Sequence, residues 1–490
     1  MNKLKLYLIV TTVLSFSAML YAESANTFWP AWRGPEATGI APNCNPPTTW
    51  SETENVKWKV KLTGDGSVAS PIVWGSKIFF QTAVKTDKVE KSAESTPVLE
   101  QPQPPTGNGQ TPPPPPQAAD GSGQNPPPGA QMGPPPAGQN PPPGGPEGQR
   151  PPRGNGGDKA PTNIYQFNVV CMDRNTGKIL WEKTACEAVP HQGHQPTHGF
   201  ASYSPVTDGK YVWANFGSRG LYCYDFDGKL IWNKVLIKLK TMFGEGGSLA
   251  LAGDAVIVVA DNDTESWIFA FHKATGELLW KKQRDEKTTY GTPLVTTFNG
   301  QLQIITSGIN KIRSYNPETG DILWECAGIP DSMIATPIVS FDMLFCAVGG
   351  RGKGQVAAVK LGAADDQAIL WQTKDVAPFV ASPLLYGQRL YVFSANAPRL
   401  SCYEAKTGKV LIDKQALEQI KDVYASPVGA SDRIYYAGRN GITYVLKNAD
   451  TFEVIATNKL DDEFSSTPAI AGNELYLKGK QYFYCIANSK

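Results

Sequence analysis

A Ser/Thr-Pro pair, followed by apolar residues, a turn and a strand-like stretch, returns along this chain at a nearly constant interval. It stands at Ser70-Pro71, Ser204-Pro205, Thr292-Pro293, Thr336-Pro337, Ser382-Pro383, Ser426-Pro427 and Thr467-Pro468, and Ser248-Leu249 fills one slot without its proline. From Pro205 onward the anchors follow one another at a step of about 44 residues, the period of a four-stranded propeller blade. A unit of this length cannot bury its own apolar face, so copies must stack, and several short strands per unit are the signature of such a blade.

A second signal keeps phase with the first. A turn containing Gly is followed by two apolar residues and a Trp, as in Gly177…Trp181, Gly228…Trp232, Gly276…Trp280 and Gly320…Trp324. Trp371 continues the series, and Lys406-Thr407-Gly408 gives the turn without the Trp. The Gly supplies the positive φ of a tight hairpin between the two outer strands. The Trp opens the outermost strand and is placed to pack on a neighbouring blade.

Eight anchors predict an all-β, eight-bladed β-propeller of four-stranded antiparallel blades over residues 56–490. The ends of the chain predict how the ring closes. The step from Trp280 to Pro293 equals that from Trp324 to Pro337, and Trp58 to Pro71 repeats it near the N-terminus. After Pro468 the chain runs only to Lys490 and holds no further Trp. The last blade therefore lacks its outer strand, and residues near Val56 to Leu62 should supply it, protecting the sheet edges. The docking tryptophans on this reading are Trp58, Trp181, Trp232, Trp280, Trp324 and Trp371.

One blade is interrupted. Pro71 stands several times farther from Trp181 than each anchor stands from its Trp in the following blades, and the excess is a Pro/Gly-rich tract over residues 86–162. Proline denies ladder hydrogen bonds and the tract offers nothing apolar, so it reads as a solvated, disordered, proline-rich loop.

Residues 1–22 read as a signal peptide: Lys3 and Lys5 precede an uncharged apolar run from Leu6 to Leu20, ending at Ala22. A lead-in segment, 23–55, follows. The expected protein is periplasmic or secreted, with no transmembrane segment after cleavage. The formal net charge of +1 argues against nucleic acid as a partner. Of the eight Cys, Cys171, Cys223, Cys402 and Cys485 hold matching positions in different repeats and are expected as buried free thiols. Cys44, Cys186, Cys326 and Cys346 are left open to pairing.

The Gly-to-Trp motifs resemble the tryptophan-docking motif of pyrroloquinoline-quinone (PQQ) propellers, a group that includes quinoprotein alcohol dehydrogenases and the BamB-type outer-membrane assembly factor. Trp29-Pro-Ala-Trp32-Arg33-Gly34-Pro35 resembles the lead-in of exported PQQ-like repeat proteins. For an enzyme, the resemblance implies an adjacent Cys-Cys disulfide over the cofactor, acidic and amide ligands for Ca2+, and an Asp base. No adjacent Cys pair occurs here.

Three candidate constellations remain. His191, His194 and His198, three of only four His in the chain, could ligate a metal or simply belong to a polar loop on the propeller face, since Gly193, Pro196 and Gly199 interrupt helical spacing. Asp261-Asn-Asp-Thr-Glu265 could hold a hard cation or be a hairpin tip. Arg219, Arg351, Arg439 and Lys480 recur in turns and could form a basic rim around the channel, suited to an anionic ligand or acidic partner. The expected function is a monomeric, non-catalytic binding or scaffold propeller of the cell envelope, meeting an envelope protein or polymer. The alternative is a PQQ- and Ca2+-dependent dehydrogenase with a reduced active site.

Overall fold

The computed structural model describes residues 28–64, 68–89, 160–329, 334–349, 354–364, 368–374, 376, 378, 380–394 and 398–488. The signal-peptide residues, nearly all of the Pro/Gly-rich tract and Arg351 lie outside them. Within this set, eight four-stranded antiparallel sheets form the blades of a propeller, each running from an inner to an outer strand. The first blade is built from β2 (Ile72–Trp74), β3 (Lys77–Val89), β4 (Asn163–Asp173) and β5 (Ile179–Ala188). Its two middle strands are 13 and 11 residues long and stay paired out to Val89 and Asn163. The four strands of this blade are thus complete among the described residues. Among the described residues no helix is long and apolar enough to cross a membrane.

The ring closes as the residue count at the two ends requires. The first strand, β1 (Val56–Lys61), pairs antiparallel with Tyr482–Ile486 and becomes the outer strand of the eighth blade. Trp58, opposite Cys485, packs edge-on against Phe483 at 5.5 Å.

Two repeated contacts join the blades. On the outside, an indole N–H donates to a backbone carbonyl of the next blade: Trp58 to Arg174 (3.0 Å), Trp181 to Phe226 (3.0 Å), Trp232 to Lys273 (3.0 Å), Trp280 to Pro317 (2.8 Å) and Trp371 to Ala405 (2.8 Å). Trp324 departs from this pattern. Its indole donates to Gln303 Oε1 of its own blade at 2.9 Å, and the following turn places Gly362 against Phe298 instead.

On the inside, the Ser/Thr of every anchor but Thr292 accepts the N–H of the anchor one blade earlier among the described residues. Ser70 N–H donates to Ser204 Oγ (2.9 Å), Ser204 to Ser248 (3.2 Å), Thr292 to Thr336 (2.9 Å), and Thr336 to Ser382 (2.9 Å). Ser382 donates to Ser426 (2.9 Å), Ser426 to Thr467 (3.1 Å), and Thr467 to Ser70 (2.9 Å), which carries the chain of bonds across the closure. The anchor Pro supplies no N–H, so the residue before it is the donor at every step. All eight Cys are free, and all but Cys186 are buried. This includes the four whose pairing was left open.

The lead-in crosses the channel. Trp29 exchanges both backbone hydrogen bonds with Val73 in the first blade, at 2.9 and 2.8 Å, and Pro30 O accepts from Thr207 N–H in the second. Farther along, Gly39 O accepts from Gly429 N–H and Ala41 N–H donates to Gly429 O in the seventh. Between them, Arg33 is buried, donating to the carbonyls of Pro427 and Thr38 at 2.8 Å and to that of Pro383. Burial without a counter-charge lowers its pKa to about 9, so the guanidinium is still protonated at neutral pH. It plugs the channel just beyond the hydroxyl ring.

Candidate functional site

Because the lead-in blocks one end, the channel is a blind cup of about 340 Å³. Its inner wall is the anchor ring, through Ser70, Ser204, Ser248, Thr292, Ser426 and Thr467. Trp32, one residue before the plugging arginine, forms part of the lining, while Phe243, Tyr290 and Tyr424 contribute aromatic surface from loops. Two irregular loops, residues 189–205 and 235–249, build one side of the mouth and bring Gln195, Thr197, His198 and Gly246 to it.

The loops are locked to each other by polar contacts. Gln195 N–H donates to Phe243 O at 3.0 Å, Gln192 Nε2 to Thr241 Oγ1 at 2.6 Å, and Phe243 N–H to Tyr290 Oη at 3.1 Å. Glu245 accepts the Ser218 N–H at 2.6 Å and lies 3.4 Å from His191 Nε2. Burial raises the Glu245 carboxyl to about 7, against the opposing pull of the Ser218 hydrogen bonds and Arg219.

The three imidazoles of the sequence reading do not converge. His191 Nε2 bonds the Leu239 carbonyl at 2.6 Å, and His194 Nδ1 bonds the Gln195 carbonyl at 2.7 Å. Only His198 lines the cup. Its Nδ1 accepts the Gly199 N–H at 2.9 Å, which makes Nε2 the protonated nitrogen of the neutral ring and leaves it facing Gly246. Burial, with His194 nearby, lowers its pKa to about 4, so the ring is neutral at physiological pH. Among the described residues no group of three His, Cys, Asp or Glu side chains is arranged to hold a metal.

The acidic run is likewise committed elsewhere. Asp261 is fully buried in a two-pronged ion pair with Arg284, at 2.7 and 3.1 Å, and also accepts from Thr289 at 2.7 Å. Asp263 accepts from Thr288. Of the basic rim, Arg439 and Lys480 are paired with acidic side chains. Arg439 faces Glu463 at 3.2 Å and Asp422 at 3.5 Å, Lys480 shares Glu463 at 3.1 Å, and Arg219 donates to the Val189 carbonyl. None of these three side chains lines the cup.

This donor set does not fit PQQ with Ca2+. The cofactor carries carboxylates and its cation needs carboxylate oxygens, whereas the described wall presents hydroxyls, an amide, one neutral imidazole, aromatic faces and the aliphatic side chains of Val68, Ile334 and Val380, with no Asp, Glu, Lys, Arg or Cys. The hydroxyl ring and the cup were not anticipated from sequence. The ring had a readable signal: at Ser248-Leu249 the proline is lost and the hydroxyl is kept.

The family described as outer membrane protein assembly factor BamB matches residues 166–414, just over half of the chain. No curated protein matches. Among solved structures, BamB from Moraxella catarrhalis is 15% identical over 68% of this chain and 94% of its own, with a TM-score of 0.48. A europium-containing methanol dehydrogenase is 11% identical over 94% of this chain and 91% of its own, with a TM-score of 0.55. The computationally designed Ika8 protein is 14% identical over 68% and 97%, with a TM-score of 0.47. At these identities the dehydrogenase likeness speaks to the fold alone.

Proposed function

Because the chain belongs to the PQQ-like propeller family described as outer membrane protein assembly factor BamB, we propose that it is an exported, non-catalytic binding propeller of the cell envelope, with the channel-mouth cup as its binding site. The observation that carries this reading is the chemistry of the cup wall. It offers hydrogen-bonding groups and aromatic surface, the ordinary makings of a recognition site. General acid–base chemistry at neutral pH wants a group poised near 7 within reach of the reacting atom. His198, with a pKa of about 4, is poorly matched to that task. Glu245, at about 7, is turned into the loop contact with Ser218 and does not line the cup. The partner on this proposal is an envelope protein or polymer that presents a small feature to the cup, and the protein works as a monomer.

The test is calorimetric titration of the mature protein with PQQ and Ca2+, followed by dye reduction with simple alcohols and sugars. The expected result is neither saturable binding nor reduction. Saturable binding with reduction would replace this reading with the dehydrogenase one. Fractionation of cells expressing the full-length chain should place it outside the cytoplasm, and a cytoplasmic pool would overturn the envelope assignment.

A further inference from the structure

We infer that the cup takes a neutral saccharide, bound by the amphoteric hydroxyl ring and stacked on its aromatic wall. The inference rests on the reading of the cup as a binding site and adds the chemical class of its ligand.

The argument starts from what each anchor hydroxyl has left to offer. A Ser or Thr hydroxyl has one proton and two lone pairs. At Ser70, Ser204, Ser248, Ser426 and Thr467 one lone pair accepts the neighbouring blade's N–H. Among the described residues none of these five hydroxyls donates to an acceptor in the protein. Thr292, the sixth hydroxyl of the wall, has no hydrogen bond to its Oγ1 among the described residues, and its own N–H donates to Thr336. Most of these groups are buried: Ser70, Ser204, Ser426 and Thr467 are each almost wholly out of solvent. Every one of them can thus give a proton and accept another, within one cup.

The wall rejects three ligand classes. An apolar molecule would leave the protons of the buried hydroxyls without an acceptor, each at a cost of about 1–3 kcal/mol. An anion would meet donors but also a ring of lone pairs, with no cation among the described residues of the wall; the Arg439 and Lys480 charges outside it are paired with Glu463. A cation would meet no carboxylate among the described residues of the wall. A sugar hydroxyl has the same dual character as the wall hydroxyls, so pairs form in either direction. The apolar C–H face of a pyranose matches flat aromatic surface, which Trp32, Phe243, Tyr290 and Tyr424 provide. His198 Nε2–H adds one fixed donor. At about 340 Å³ the cup stands at the small end of the usual ~300–1,000 Å³ range for ligand sites, suited to a short saccharide and not to a long polymer segment.

The experiment is titration of the mature protein with glucose, N-acetylglucosamine, maltose and maltotriose, read by calorimetry and by tryptophan fluorescence, with glucuronate and cyclohexanol as the charged and apolar comparisons. At least one neutral sugar should saturate, with glucuronate and cyclohexanol at least tenfold weaker. Thr292→Val keeps the side-chain shape and the N–H link to Thr336. It should leave the melting temperature unchanged and weaken the sugar about threefold to tenfold, the range for one hydrogen bond. Affinity that rises with sugar length assigns a polymer end as the source, and equal affinity assigns a free sugar; both support the site. No saturation by any neutral sugar up to about 50 mM, well past the millimolar range of weak complexes, overturns the proposal. Glucuronate or cyclohexanol binding as tightly as the sugars, or unchanged sugar affinity in Thr292→Val, also overturns it. PQQ binding with dye reduction, in contrast, would remove the non-catalytic reading itself, so the two failures are distinguishable.

Discussion

Gly408 and Gly387 have nearly the same backbone and different surroundings, which allows the tryptophan dock to be weighed by itself. Both are left-handed, with φ of +72° and +62°. A Cβ at Gly408 would lie 2.7 Å from the Trp371 ring, whereas a Cβ at Gly387 would meet nothing within 4 Å. Gly387→Ala should therefore incur only the conformational cost of an L-residue in this region, about 1–2 kcal/mol. Gly408→Ala adds forced displacement of a packed indole, worth about 1–3 kcal/mol for overpacking, giving roughly 2–5 kcal/mol in total. In a propeller of this size 1 kcal/mol moves the melting point by only about 1 °C, so the expected losses are about 1–2 °C and 2–5 °C. The assay is thermal denaturation of both variants, repeated in a Trp371→Ala background. With the ring removed, the Gly408→Ala penalty should shrink to that of Gly387→Ala, because the pair is coupled. Equal penalties in the wild-type background, or a Gly408 penalty unchanged without Trp371, would refute the idea that the turn glycine is required by the indole resting on it.

Two further expectations test the inner ring and the loops. Ser70→Ala deprives Thr467 N–H of its acceptor at the closure and should destabilise by about 1–3 kcal/mol, while Ser70→Thr should be nearly neutral, as a melting series would show. Folded Glu245 holds its proton to about pH 7, against 4.5 for a free glutamate, so between those values the folded state binds more protons and this group's contribution falls as pH rises. Glu245→Gln should therefore gain on wild type between pH 4.5 and 7, by up to about 3 kcal/mol, with a constant difference above that window. Melting curves of the two proteins that stay parallel across the window would contradict this. His198, with a folded pKa of about 4 against 6.5, runs in the opposite direction, so the wild-type profile alone should be nearly flat where the two windows overlap.

The blades were legible because the physics that makes them is periodic. Gly320 and Trp324 carry their turn and strand within a few residues, and the missing Trp after Pro468 pointed to residues around Val56 to Leu62 as its replacement, of which Val56–Lys61 form the strand. Even there, the shared motif could not show that Trp324 would bond Gln303 in its own blade, since the choice depends on Phe298 occupying the neighbouring turn. The cup was illegible for a different reason. Its residues come from many blades, from two loops outside the repeat and from Trp32, and only ring closure brings them together. The His191, His194 and His198 run allowed either metal ligation or a polar loop, and the loop's turns send the first two to backbone carbonyls. Arg33 had no partner visible in sequence because its acceptors, the carbonyls of Pro383 and Pro427, belong to blades near the other end of the chain.

That long reach has a consequence for how the molecule assembles. A row of near-identical blades, each touching only its neighbours, would be expected to fold piecemeal and to fray from whichever end is free. Here the segment preceding the first blade is fastened to the first two blades and to the sixth and seventh, and the strand after it completes the eighth. These are contacts of very high sequence separation, which form slowly because a long loop must close first. Once made, they tie distant blades into one cooperative unit, so the protein should unfold in a single step where a simple stack would peel apart.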